Sequence, residues 1–157
     1  MRYEHTQPGW VVRAVIALCG ISIAVPPLRL AIAAGGTPPL GSLVGSLVTA
    51  AVMLLLLVLF YRLVVRIDGD SLRVNFGIGL IGYTFLLSDI LSCRAVRSPW
   101  YSGWGIRKIR GGWLLNVSGY QAVEMSLRSG KVYRIGTDDQ DGLLAALEAA
   151  IQGGMDQ

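Results

Sequence analysis

The stretch LVGSLVTAAVMLLLLVLFY, from Leu43 to Tyr61, decides the architecture of this chain. Its 19 residues include no charged side chain. An α-helix of that length rises by about 29 Å, which matches the roughly 30 Å hydrocarbon core of a bilayer. We therefore expect a transmembrane helix over residues 43–61. The aromatic end of the stretch and the following Arg62 are typical of the membrane–water interface.

A second apolar segment precedes this helix, over residues 10–34. Fifteen uncharged residues separate Arg13 from Arg29, so the two arginines can snorkel to opposite interfaces. The pair Pro26-Pro27 is expected to kink or end the helix near its far side. Joined by a short external loop over residues 35–42, the two segments predict a transmembrane hairpin.

Two alternatives for the first segment are disfavoured by its residues. A cleaved signal peptide would use the motif Ala31-Ile32-Ala33, but Arg29 precedes that motif and a second apolar span follows it. Lipidation of Cys19 would require a small residue before it, where Leu18 stands. We therefore expect Cys19 to be an ordinary apolar helix residue.

The arginines around the hairpin indicate its orientation. The connecting loop carries none apart from Arg29 at its edge. Because basic residues accumulate on the cytoplasmic side, we expect both termini in the cytoplasm, with residues 1–9 as an N-terminal tail. The free Cys93 agrees with a reducing compartment. The arginines on the side of the termini are Arg2, Arg13, Arg62, Arg66 and Arg73.

The charges divide the 157 residues into an apolar and a polar part. Only four charged residues lie in residues 1–61, and the other twenty lie in residues 62–157. The polar part alternates with period two, as in Ser71 to Phe76, and turn residues such as Asp68-Gly69-Asp70 interrupt it. About seven short strands in a meander are expected, which requires an antiparallel barrel or sandwich.

The end of the chain changes to helical spacing. Leu144, Leu147 and Ile151 recur every three or four residues, which predicts an amphipathic helix from about Asp138 to Gln152. Thr137 and the residue three positions later have the spacing of a capping box. We expect this helix to close one side of the sheet domain, giving a membrane-anchored α+β fold.

Four short stretches carry a family resemblance: PWYSGWGIR over residues 99–107, GGWLLNVSG over 111–119, AVE over 122–124 and RIGTDD over 134–139. With the preceding hairpin, the chain resembles bacterial membrane-anchored proteins with a pleckstrin-homology-like (PH-like) domain and no assigned function. The resemblance covers nearly the whole chain. It implies a cytoplasmic PH-like domain over residues 62–157 and a place in the inner membrane.

One loop departs from the lipid-binding members of the wider PH fold. Phosphoinositide-binding PH domains place basic residues around the loop between their first two strands. The corresponding loop in this chain is Asp68-Gly69-Asp70, which is acidic. We therefore do not expect recognition of inositol phosphates at that place.

The best candidate site lies between Cys93 and Trp113, a stretch that mixes basic and aromatic residues and contains no acid. Such a surface suits anionic lipid headgroups or an acidic protein partner. Alternatively, the tryptophans are packing residues and the arginines only satisfy the cytoplasmic charge preference. The residues expected to make contacts are Arg97, Trp100, Tyr101, Trp104, Arg107, Lys108 and Arg110.

Catalytic, cofactor and nucleic-acid functions find little support. The only histidine is His5, and no phosphate-binding glycine motif, metal-ligand cluster or nucleic-acid-binding motif occurs. Cys93 lies in an apolar strand and is expected to be a core thiol. We expect a membrane-tethered binding or scaffolding module for a membrane-associated protein, with anionic-lipid sensing as the alternative and an enzyme as the least favoured function. No cofactor or metal is expected.

Overall fold

The computed structural model describes residues 3–37, 39–99 and 102–155. Two long helices, α1 (Trp10–Ala34) and α2 (Leu40–Phe60), form a hairpin, and a third helix, α3 (Gln140–Met155), ends the chain. Between and before them, the described residues form nine strands. These are β1 (Tyr3–Pro8), β2 (Arg62–Asp68), β3 (Ser71–Phe76), β4 (Ile81–Leu86), β5 (Ile90–Arg97), β6 (Gly105–Ile109), β7 (Gly112–Asn116), β8 (Gln121–Leu127) and β9 (Val132–Gly136).

The two apolar segments are helices, as predicted, and both are long and apolar enough to cross a membrane. Helix α1 runs through Pro26-Pro27 and ends only at Gly35, whose left-handed backbone closes the last turn. Helix α2 begins at Leu40, three residues earlier than expected, because Ser42 donates from its hydroxyl to the Pro39 carbonyl and holds the first turn. The most apolar part of each helix contains no buried residue, so an apolar surface faces outward along both.

The strands form two sheets, which differ from the predicted meander. The first sheet has the antiparallel order β1-β2-β3-β4. The second has the order β5-β8-β9-β7-β6, in which β7 and β9 are parallel. After β7 the chain skips one position in the sheet, and the antiparallel hairpin of β8 and β9 then places β9 in the gap. The predicted antiparallel meander of about seven strands is therefore wrong. The described residues form nine strands in two sheets, one antiparallel and one mixed, within an α+β fold.

The N-terminal residues are part of the first sheet and not a separate tail. Strand β1 pairs with β2 along its whole length, from Tyr3 opposite Ile67 to Pro8 opposite Arg62. The Tyr3 hydroxyl donates to Asp139 Oδ2 at 2.9 Å, which ties β1 to the start of α3. Residues 62–157 alone would therefore lack an edge strand of their own domain.

Helix α3 packs on the core through the predicted face only in part. Leu147 is fully buried in a cluster with residues of both sheets, whereas Leu144 and Ile151 are partly buried against that cluster. The neighbouring Leu143 is the second fully buried leucine of the helix.

The first turn of α3 does not have the expected capping box of Thr137 and Gln140. Asp139 accepts a bond from the Gly142 amide at 3.1 Å, so Asp139 is the capping residue. Gln140 instead donates to two strand carbonyls, of Val96 and Ala122, at 2.8 and 2.7 Å.

Candidate functional site

The helical hairpin and the first sheet are joined without linkers. Strand β1 runs through Gly9 into α1, and α2 runs through Tyr61 into β2. The Gly9 amide donates to the Tyr61 carbonyl at 2.8 Å, directly beside the pair Pro8 and Arg62. The strand ladder thus continues to the start of α1 and the end of α2, which connects the first sheet directly to the hairpin.

The turn between β3 and β4 adds a second connection at this junction. The Gly77 amide donates to the Arg62 carbonyl at 2.9 Å, and Arg62 Nε donates to the Gly77 carbonyl at 3.1 Å. A Cβ on Gly77 would lie 2.1 Å from the Val58 carbonyl oxygen, and φ at Gly77 is +54°. Only glycine combines this close approach with this backbone conformation. The turn therefore lies directly against the end of α2.

Strand β6 lies on another side of the hairpin. A groove of about 820 Å³ separates them, and its hairpin wall is apolar. The opposite wall is formed by Trp104 and by β6, including the exposed Arg107 and Lys108. None of the described residues lining the groove is acidic. They are Val11, Val12, Val15, Ile16, Cys19, Met53, Leu56, Phe60, Trp104, Gly105, Ile106, Arg107 and Lys108.

The predicted site residues are only partly brought together. Arg97 ends β5, and Trp104 immediately precedes β6. Tyr120 links these two places: its ring centroid lies 6.5 Å from that of Trp104, and its carbonyl accepts a bond from the Ser98 amide at 2.7 Å. Arg97 and Tyr120 also line two adjoining pockets of about 490 and 430 Å³. Trp100 and Tyr101 lie outside the described residues.

The remaining basic residues follow β6. Arg107 and Lys108 lie within the strand, and Arg107 Nε donates to the Trp104 carbonyl at 3.2 Å. Arg110 lies in the turn after β6, at the end opposite Trp104, and the six steps between the two residues span roughly 20 Å of extended strand. The sequence-predicted surface is therefore two groups, one around Arg97 and Trp104 and one along β6, with Arg110 at the far end.

Sequence reasoning missed a row of charges across the second sheet. Arg94, Glu124 and Arg134 are direct neighbours on β5, β8 and β9. Arg94 Nε donates to Glu124 Oε1 at 2.8 Å, and Arg134 Nε donates to Glu124 Oε2 at 2.6 Å. Burial raises the pKa of Glu124, but the hydrogen bonds and charges of the two arginines outweigh it and lower the pKa overall. Glu124 is therefore ionised.

The row extends to the candidate surface. Opposite Arg134 on β7 is Leu114, and opposite Leu114 on β6 is Arg107. Directly paired residues share a face of a sheet, so Arg94, Arg134 and Arg107 lie on one face with Glu124 as the acid among them. No local sequence pattern aligns Arg134 with Arg107, because that register is set by the parallel pair of β7 and β9.

Cys93 has the environment of a structural thiol. Burial raises its pKa, and the nearby carboxylate of Glu148 raises it further. A thiol with a raised pKa stays protonated near neutral pH and is a poor nucleophile. The arrangement around Cys93 therefore favours packing.

No protein-family model matches the chain, and no curated protein sequence matches it significantly.

Proposed function

We propose that this protein is a membrane-anchored binding module. In this proposal α1 and α2 cross the bilayer, and the sheet domain lies on its cytoplasmic side with both termini. The outward apolar surface of the hairpin supports insertion, because such a surface requires lipid contact. The turn beside the end of α2 also supports it, since Ile78 and Leu80 are 58% and 73% exposed there.

The cations at the junction support the proposed orientation. The guanidinium carbon of Arg13 lies 5.2 Å from the ring centroid of Trp10, and that of Arg62 lies 5.1 Å from the ring of Tyr61. Paired aromatic and basic residues of this kind favour a membrane interface. Since they lie at the sheet end of the hairpin, the positive-inside rule favours a cytoplasmic position for the sheets.

Reporter insertion will test this topology. A reporter inserted after Gly36 is expected to be external, and one fused after Gln157 is expected to be cytoplasmic. The reason is the excess of arginine at the sheet end of the hairpin. An external reporter at Gln157 would contradict both the orientation and the cytoplasmic domain.

The PH-like assignment forms part of the proposal. Two sheets that share one core, followed by a C-terminal helix packed on that core, support it. The parallel pair of β7 and β9 departs from the antiparallel meander that the resemblance implies. The proposed location in a bacterial inner membrane depends on the same resemblance.

The observation that carries the binding proposal is the position of β6. It is an edge strand of the second sheet, it lies beside the hairpin, and its exposed residues Arg107 and Lys108 are basic. An extended acidic segment of a membrane-associated protein can add to such an edge, because main-chain bonds give affinity and side-chain charges give selectivity. In this proposal the module is a scaffold for that segment.

Site-specific crosslinking in cells will test the scaffold. A photoreactive residue at Lys108 is expected to capture one partner, and the double variant Arg107→Gln/Arg110→Gln, made with the probe in place, is expected to reduce capture severalfold. Added salt should reduce capture in membranes, because exposed charges are screened. The partner's captured segment, read by mass spectrometry, should be acidic.

A charge-matched control distinguishes a specific surface from general charge. Arg73 is exposed on β3 in the first sheet, so Arg66→Gln/Arg73→Gln removes the same charge elsewhere. This control is expected to leave capture unchanged. The scaffold proposal would be overturned if both double variants reduced partner capture equally, or if the captured segment contained no acidic residues.

Anionic-lipid sensing remains a second candidate because of one specific observation. The groove between the hairpin and β6 joins an apolar wall to two cations at the end of the proposed membrane anchor. A lipid has the same division between apolar chain and charged headgroup.

A further inference from the structure

The groove between the hairpin and β6 has one apolar wall and one basic wall. One wall comes from residues of α1 and α2 without charge, and the other carries Arg107 and Lys108. With no acidic residue among its described lining, the groove has two positive charges to be neutralised. Its volume of about 820 Å³ lies within the range of roughly 300–1,000 Å³ that is usual for ligand sites.

The groove also lies at the depth where headgroups meet acyl chains. Its lining on α1 runs from Val11, next to the first helical residue, to Cys19, eight residues further along. Eight residues of helix rise by about 12 Å. The interfacial layer of one leaflet is roughly 5–8 Å thick, so this length covers the interface and the outermost hydrocarbon when the hairpin is inserted.

We propose that this groove holds one anionic phospholipid of the cytoplasmic leaflet. Arg107 and Lys108 leave β6 on opposite faces, and both line the groove at this sheet edge. In the proposal their long side chains reach the phosphate and headgroup, and an acyl chain lies along the apolar wall by Val15, Cys19 and Met53. This inference depends on the membrane insertion proposed above and not on the protein partner. It differs from contact with the average membrane surface, because it predicts a single bound molecule with headgroup selectivity.

Binding will be measured by native mass spectrometry of the full chain released from a mild detergent. Phosphatidylglycerol and phosphatidylcholine with identical acyl chains are the two probes. One phosphatidylglycerol per chain is expected, at concentrations where phosphatidylcholine is not retained. The variant Arg107→Gln/Lys108→Gln is expected to weaken phosphatidylglycerol binding roughly 30-fold, from the usual contribution of two basic residues near anionic lipid.

Matched variants separate this site from general effects of charge or size. Arg66→Gln/Arg73→Gln removes two charges from the first sheet, outside the groove lining, and is expected to change binding by less than twofold. Val15→Trp fills the groove from α1, where Val15 is 49% exposed, and should weaken binding of the acyl chain severalfold. Leu18→Trp adds the same bulk at a helix position outside the lining and should not.

Several results would overturn the lipid site. These are equal retention of the two lipids, indifference to Arg107→Gln/Lys108→Gln, or an equal loss in Arg66→Gln/Arg73→Gln. The topology reporters separate this failure from failure of the anchor. A correct topology without selective binding rejects the groove alone, whereas an external reporter at Gln157 rejects the proposed anchor itself.

Discussion

Leu147→Asp is expected to abolish the folded sheet domain. Leu147 is fully buried where α3 packs on the core of both sheets. Truncating a buried leucine costs about 2–5 kcal/mol, and placing an unpaired carboxylate there costs several more. Domains of this size are stable by only about 5–15 kcal/mol, so the variant should lie near or below the limit of folding. Thermal unfolding of the full chain in detergent, followed by tryptophan fluorescence, will measure the loss.

A neighbouring substitution controls for the added charge. Ala145→Asp places the same carboxylate two residues earlier, at an exposed position of α3. Its expected cost is below about 1 kcal/mol, from helix propensity alone. If Leu147→Asp unfolded at the same temperature as Ala145→Asp, the packing of α3 on the sheets would be contradicted.

The parts of the fold that the sequence predicts are those with strong local periodicity. Strand β3 and the face of α3 that includes Leu147 appear where their periods indicate, and there the recurring side chains are also the ones that lose water. Local pattern and burial then carry the same information. The hairpin is indicated instead by the length and the uncharged, apolar composition of its two segments.

Strands β1 and β6 could not be predicted because their buried positions do not follow an apolar alternation in the sequence. The inward side chains of β1 include His5 and Gln7. Gln7 is buried, and its side-chain amide donates to the Ser118 carbonyl. Strand β6 is short, lies at a sheet edge and exposes its basic residues. Neither strand carries the apolar alternation that defines a half-buried strand.

The prediction of the candidate site was incomplete because it depends on the register between strands, which no local sequence pattern determines. The sequence identifies the basic stretch, but the antiparallel pairs of β5, β8 and β9 align Arg134 with Arg94. The parallel pair of β7 and β9, with the hairpin of β6 and β7, aligns Arg134 with Arg107. The same topology puts Arg110 at the far end of β6. The basic residues that are neighbours in sequence therefore lie apart in the structure. Arg134, which is distant in sequence, lies on the same sheet face as Arg107.

Gly77→Ala is expected to break the connection between the sheets and the anchor. An alanine with φ near +54° costs about 1–2 kcal/mol. In addition, its Cβ would lie 2.1 and 2.5 Å from the carbonyl oxygens of Val58 and Leu59. These are backbone atoms at the end of α2 and cannot rotate away. Overpacking of this kind costs about 1–3 kcal/mol more, and relief requires the turn to move off the helix.

Gly69→Ala provides the matched control for this prediction. Gly69 has nearly the same backbone angle, with φ of +55°, but a Cβ there meets open space. Both variants therefore share the conformational cost, and the difference between their free energies of unfolding isolates the contact with α2. We expect Gly77→Ala to unfold at a clearly lower denaturant concentration and to expose the β3–β4 turn to protease. Equal unfolding midpoints would mean that the turn does not lie against the helix, and the first sheet would lose one of its two connections to the hairpin.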